Sequence, residues 1–104
     1  MALRATITRL HRNFIEISWR RQRIASYGIG PRKLSEHYAY ISPQRSYVKL
    51  GFYRGAFLND PAGLLEGTGI GLRHVKVRQP PFASSPELKS LIRQAISERL
   101  ASRK

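Results

Sequence analysis

The stretch DPAGLLEGTGIGLRHVKV, residues 60–77, carries residue types that bind anions and small ligands. Three alternating glycines are followed by basic or titratable side chains: Gly67, Gly69, Gly71, Arg73, His74 and Lys76. Phosphate loops place their glycines between a strand and a helix N-terminus, where backbone amides meet the phosphate. Here the glycines precede a strand-like segment, so a nucleotide phosphate loop is not predicted. Two interpretations stay open: a nest of amides that binds a small anion beside Arg73, and a plain connection in which glycines supply positive φ.

Ser35, Glu36 and His37 are residue types that catalyse acyl transfer, and they are adjacent in the chain. Neighbours in a strand point to opposite faces, so this spacing alone does not form a triad. The chain has no cysteine, which excludes thiolate nucleophiles and thiolate metal sites. It also has no His-x-x-x-His pair and no nucleophile elbow. The sequence therefore predicts a protein without enzymatic activity.

The charge of the chain is strongly unbalanced. Nineteen Lys and Arg stand against six Asp and Glu, which gives a net charge of +13. Eight of these cations lie in residues 1–33, where Glu16 is the only acid. Such an excess is typical of proteins that bind nucleic acid or another anionic partner. A solubilising surface without a specific partner is the alternative interpretation.

Nucleic-acid binding would use a basic sheet face on which bases stack. The candidate cations are Arg20, Arg21, Arg23, Lys33, Lys49 and Arg54. The candidate aromatic residues are Trp19, Tyr38, Tyr40, Tyr47 and Tyr53. The alternative is that Trp19 and about half of the tyrosines belong to the core.

The apolar periodicity predicts an α+β fold in a single domain of residues 1–104. Leu3, Ile7, Leu10 and Phe14 follow helical spacing, which predicts a helix over about residues 2–14. Alternating patterns over about residues 15–78 predict an antiparallel sheet of four to five strands, with residues 20–26 continuing or bending the first strand. A second helix is expected at about 86–101. The architecture is two-layer, with the N- and C-terminal helices flanking the sheet.

Two details of this pattern can be tested at the level of single residues. Val48, Leu50 and Phe52 are expected to face one side of a strand and Lys49 the other. Ser85 is expected to cap the second helix with Pro86 in its first turn, and Arg99 to lie off the apolar face of that helix.

No apolar run approaches the roughly 18 residues that cross a membrane. The N-terminal residues lack the apolar segment of a secretory signal. A cytoplasmic protein without a membrane partner is therefore expected. A homodimer through the sheet edges stays open.

Residues 15–100 resemble the YdhG-like domain family. The resemblance rests on Val-x-Leu-Gly-Phe-Tyr at 48–53, Gly-Ala at 55–56, Asp-Pro-x-Gly-Leu-Leu-Glu-Gly-Thr-Gly at 60–69 and Arg-His-Val-Lys at 73–76. It implies a small intracellular bacterial protein with a frataxin-like α+β fold and mostly unassigned function. The chain departs from the family where Ile70 and Gly71 replace the usual lysine, and its N-terminal helical region is shorter.

One branch of that family is described as an iron chaperone, so the resemblance implies iron as a ligand. Iron of this kind requires hard oxygen and imidazole ligands, and the available set is Glu36, His37, Asp60, Glu66 and His74. Each also has a structural interpretation, such as pairing with arginine or capping a turn. A non-catalytic module for a small ligand or metal is the leading prediction, with a ligand site at Glu36, His37, Asp60, Glu66, Thr68, Arg73 and His74. Nucleic-acid association is second.

Overall fold

The computed structural model describes residues 2–11, 14–19, 21, 23–30, 36–69 and 71–101. The elements in chain order are α1 (Ala2–Leu10), β1 (Ile15–Trp19), β2 (Ile24–Gly28), β3 (His37–Pro43), β4 (Val48–Phe52), β5 (Arg73–Val77) and α2 (Pro86–Ala101). Short 3-10 helices occupy Gly55–Phe57 and Pro80–Ser84. The strands form one antiparallel sheet in the order of the sequence. The predicted α+β arrangement is confirmed, while the frataxin-like label stays a prediction.

The core lies between the two helices and one face of the sheet. Leu3 and Ile7 of α1 and Leu88, Leu91 and Ile92 of α2 are all at most 2% exposed. They belong to one cluster with the inward side chains of the sheet, which include Ala39, Ile41, Leu50, Phe52, Val75 and Val77. The alternation expected for β4 is confirmed, since Leu50 and Phe52 are fully buried and Lys49 is not.

Helix α1 is shorter than the predicted 2–14. It ends at Leu10, and the His11 amide that follows donates to the Ile7 carbonyl at 2.8 Å. Phe14 matches the helical spacing but follows the helix, and its ring packs 5.9 Å from that of Tyr27. Phe14 is therefore an apolar contact residue as expected, but it lies in the segment between α1 and β1 rather than in the helix.

Residues 20–26 do not continue or bend β1 as expected. The chain reverses between Trp19 and Ile24, which pair directly, and β2 runs back along β1. The described turn residues are arginines, which carry none of the usual Gly, Pro or Asn signals. Arg23 makes the turn with a left-handed φ of 55°. A turn that lacks Gly, Pro and Asn cannot be recognised from its residue types.

Helix α2 has the predicted bounds, and the Leu88 amide donates to the Ser85 hydroxyl at 3.3 Å, which confirms the cap. The expectation for Arg99 was wrong, because this side chain is only 5% exposed. Its Nε donates to the His37 carbonyl at 2.8 Å, beside an irregularity in the pairing of β2 and β3. A buried backbone acceptor requires such a donor. Burial also lowers the pKa of Arg99.

None of the helices in the described part of the chain combines the length and the apolar character that a membrane span requires.

Candidate ligand-binding face of the sheet

The face of the sheet turned away from α1 and α2, here called the outer face, carries alternate side chains of all five strands. The strand register aligns one row across it: Ile17, Ser26, Tyr40, Gly51 and His74. In the next row Trp19 pairs with Ile24. Further along the same row Ser42 pairs with Lys49, and Lys49 pairs with Lys76. Apolar and aromatic side chains therefore lie toward β1, and cations lie toward β5.

A cavity of about 520 Å³ lies on the outer face. The described residues that line it are Trp19, Ile24, Tyr40, Ser42, Lys49, Tyr53 and Leu72. Its volume falls in the range of roughly 300–1,000 Å³ that is typical of small-ligand sites. This lining combines three aromatic rings with one cation and contains no carboxylate, so it favours a flat, negatively charged ligand.

The ring of Tyr40 lies across β4 at Gly51. A Cβ at Gly51 would collide with that ring, so glycine is what allows the close approach. The ring of Tyr53 packs beside it at 5.4 Å and a tilt of 47°. The two tyrosines form a platform on which a planar group can stack.

A buried hydrogen-bond chain fixes this platform from below. The Ser26 Oγ lies 3.1 Å from the Tyr53 hydroxyl and 2.5 Å from Nδ1 of His37. Ser26 and His37 are both 0% exposed. His37, which the sequence suggested as a ligand residue, therefore lies inside the protein and holds the platform in place through Ser26.

The cationic half of the outer face is built by neighbouring strands. Lys49 of β4 pairs in register with Lys76 of β5. The Lys76 ammonium lies 3.4 Å from the Glu66 carboxylate and 5.4 Å from the centroid of the Tyr47 ring, over which Arg78 also lies at 5.7 Å. The positive charge therefore continues past the cavity toward the end of β5.

His74 lies on the outer face, in the row next to the pair formed by Lys49 and Lys76. Partial burial lowers its pKa, and Lys49 and Lys76 lower it further, while Glu66 acts in the opposite direction. This environment favours the neutral imidazole, and an anion bound beside it would raise its pKa.

The glycine segment that precedes β5 uses its polar groups internally. The Asp60 carboxylate accepts hydrogen bonds from the amides of Leu64 at 3.0 Å and Leu65 at 2.8 Å. The backbones of Glu66 and His74 exchange hydrogen bonds of 2.8 and 3.0 Å. Arg73 donates to the carbonyls of Gly69 and Leu72. The Glu66 carboxylate thus faces Lys76. The segment is a connection between β4 and β5 that its own hydrogen bonds stabilise.

The remaining predicted ligand residues lie apart. Glu36 packs its carboxylate against Gly30, where a Cβ would collide with it. Thr68 is exposed. Among the residues that the structure describes, no three His, Asp or Glu side chains form a group that could hold a metal ion. Of the five suggested metal ligands, Glu66 and His74 lie side by side, because an isolated antiparallel bridge pairs their backbones.

Some of the residues predicted to bind nucleic acid are exposed or lie on the outer face, and others make contacts within the protein. Lys49 lies on the outer face, and Arg21 and Arg23 are exposed in the turn between β1 and β2. Arg54 instead pairs with Glu98 at 3.6 Å and lies 5.1 Å over the Phe57 ring. Tyr38 is buried and its hydroxyl contacts Nδ1 of His11 at 3.0 Å. Arg20 and Lys33 lie outside the described residues.

Several residues of the outer face were not singled out from the sequence. Ile24 and Ser26 were missed because β2 was not recognised as a separate strand. Ser42 follows from strict alternation in β3, which is the signal that could have identified it.

Comparison with protein-family models, with curated proteins and with solved structures gave no match. The resemblance to the YdhG-like family therefore stays a prediction from the sequence, and the function has to be argued from the outer face.

Proposed function

We propose that this protein is a non-catalytic binding module that holds single-stranded nucleic acid on the outer face of its sheet. The observation that carries the proposal is the cavity lined by Trp19, Tyr40, Tyr53 and Lys49, in which none of the described lining residues is acidic.

The aromatic half of the face supports base stacking. Tyr40 lies across Gly51 with Tyr53 beside it, so the platform exists before a ligand binds. Stacking of a base on such a ring contributes about 1–3 kcal/mol and tolerates any base. Trp19, at 37% exposed, extends the aromatic surface toward β1.

The cationic half supports binding of the phosphates. Lys49 and Lys76 lie on strands directly beyond the Tyr40 platform, and neighbouring strands are about 4.8 Å apart. A base on Tyr40 would therefore place its phosphate near Lys49. The net charge of +13 adds a long-range attraction for any polyanion.

A mononucleotide or another small aromatic anion is the second candidate ligand. The volume of about 520 Å³ favours it, because this is the size of a pocket for one small molecule. Single-stranded nucleic acid and a mononucleotide both present a planar ring that carries a negative group. The two ligands are distinguished by the number of linked nucleotides that tight binding requires.

Iron delivery, which the family resemblance implies, is not part of this proposal. The described His, Asp and Glu side chains do not gather into a group of three, and Asp60 and Glu66 already engage backbone amides and Lys76.

The test is fluorescence polarisation with labelled single-stranded DNA and RNA of about twelve nucleotides, a length within known site sizes. We expect micromolar binding at ~50 mM salt that weakens steeply at ~200 mM. Tyr40→Leu should weaken binding by about 5- to 100-fold through lost stacking. Lys49→Gln should reduce the slope of log affinity against log salt by about 0.7.

Two matched variants serve as controls. Phe57→Leu removes an aromatic ring that is 64% exposed away from the outer face, and Arg93→Gln removes an exposed charge on α2. Both should leave stacking and the salt slope nearly unchanged. Equal effects of Tyr40→Leu and Phe57→Leu would contradict the proposal. Binding of a mononucleotide as tight as that of the oligonucleotide would assign the cavity to the small ligand instead.

A further inference from the structure

A second cavity lies on the opposite side of the β1–β2 hairpin from the outer face. Its volume is about 460 Å³. Trp19, Ile24, Ala25, Ile41 and Pro43 supply an apolar wall, and Arg4 of α1 forms part of the rim. Ile41 is only 2% exposed and forms the floor. The cavity therefore presents an apolar surface where the helix layer reaches the first strands.

The polar groups of this cavity differ at its two sides. On one side the Glu16 carboxylate accepts hydrogen bonds from Arg4 at 2.9 and 3.3 Å and from the Tyr27 hydroxyl at 2.5 Å. Its charge is thus compensated, and the Arg4 hydrogen bonds lower the pKa of Glu16. On the other side lies Arg23, and no carboxylate in the described part of the chain forms an ion pair with it.

Arg23 occupies this position at a conformational cost. Its φ of 55° is left-handed, a region that glycine adopts freely and other residues adopt with strain. Non-glycine residues keep such a conformation where the surrounding structure fixes the backbone, and these positions cluster at ligand-binding sites. Here the side chain borders an apolar cavity, so the strain is consistent with a cation kept for a ligand.

We propose that this cavity binds a medium-chain carboxylic acid, with its carboxylate on Arg23 and its hydrocarbon chain against Trp19, Ile24, Ile41 and Pro43. The apolar wall matches the chain, and the compensated Glu16 does not repel the acid. A guanidinium is the side chain best suited to hold a carboxylate by two parallel hydrogen bonds. The site shares Trp19 and Ile24 with the cavity on the outer face, but its cation is Arg23 rather than Lys49, and it does not depend on nucleic-acid binding.

The test is a calorimetric titration of the full-length protein with decanoate, decanol and decylammonium as probes. We expect decanoate to bind, decanol to bind about tenfold more weakly because it lacks the charged hydrogen bonds, and decylammonium not to bind. Arg23→Gln should weaken decanoate about tenfold and leave decanol unchanged. Arg21→Gln, in the same turn but outside the lining, is the matched control and should have no effect.

Two further variants separate this site from the others. Ala25→Leu fills the cavity from β2 and should reduce decanoate binding, whereas Tyr40→Leu on the outer face should not. Arg23→Gly should raise the urea midpoint of unfolding while it weakens decanoate binding, because glycine relieves the left-handed strain. The proposal is overturned if decanoate does not bind, if decanol binds as tightly as decanoate, or if Arg21→Gln and Arg23→Gln weaken decanoate equally.

Discussion

The glycine segment at residues 60–74 and the outer face of the sheet show two different uses of polar residues. In the glycine segment, Asp60, Glu66 and Arg73 each contact a group of the same segment or the adjoining strand. On the outer face, Lys49 lines an aromatic cavity in which no acidic residue occurs among the lining residues that the structure describes. The glycine segment, whose polar residues are close together in the sequence, thus stabilises the fold. The candidate site is formed by residues that are far apart in the sequence and become neighbours only in the sheet.

The largest expected effect separates stability from binding. Asp60→Ala removes the acceptor of two amide hydrogen bonds, and we expect the free energy of unfolding to fall by about 2–3 kcal/mol in urea denaturation. Oligonucleotide affinity of the folded fraction should not change. Thr68→Ala, an exposed position of the same segment, should change stability by less than ~0.5 kcal/mol. A loss of affinity in Asp60→Ala without a loss of stability would place the ligand at the glycine segment.

An intermediate effect concerns pH and links the two regions through His74. Burial lowers the pKa of both His74 and His11 below the usual value of 6.5. Below pH 6.5 the unfolded chain therefore binds more protons than the folded one, so stability is complete above that pH and is lost as the pH falls through the lowered pKa values. His74→Gln should flatten this dependence in urea titrations between about pH 7 and 5.

The same histidine reports occupancy of the outer face. We expect an oligonucleotide to raise the pKa of His74 in proton NMR titrations, because bound phosphates favour the imidazolium. The pKa of His11, on the helix side, should stay where it is. A shift of both values, or of neither, would contradict the position proposed for the phosphates.

The smallest effect tests the boundary between the regions. Glu66→Gln removes the partner that lies 3.4 Å from Lys76 and leaves that cation available to phosphates. We expect oligonucleotide affinity in polarisation assays to rise by up to about fivefold, since exposed pairs contribute ~0.2–1 kcal/mol. Glu87→Gln changes the net charge equally from an exposed position on α2, so a comparable rise there would show that only total charge matters.

The parts of the fold predicted correctly were those in which local signals agreed. Ser85, Pro86 and the apolar spacing after them specified α2 to the residue. The strand β2 was missed because the turn before it has none of the usual Gly, Pro or Asn signals, and Arg23 closes it with a left-handed φ. His37 and Tyr38 point to opposite faces of the sheet, yet both are buried, because His37 contacts Ser26 next to Tyr53 and Tyr38 contacts His11.

The candidate site was predicted in part. Trp19, Tyr40, Tyr53 and Lys49 were named together from the sequence, and the structure places all four around one cavity. The pattern could not show that Tyr38 points into the core or that Arg54 pairs with Glu98, because both depend on contacts with α1 and α2. Likewise, the sequence could not show that Asp60 accepts backbone hydrogen bonds, that Glu66 pairs with Lys76, or that His37 contacts Ser26.

The order of the sheet has a consequence for how the chain folds. Every strand pairs with its neighbour in sequence, so each hairpin can close early at a low cost in chain entropy. The N-terminal helix is different, because Thr6 donates to the carbonyl of Ala83, 77 residues away, at 2.8 Å. Docking of α1 should therefore follow assembly of the sheet, and Thr6→Val should speed unfolding with little effect on the folding rate.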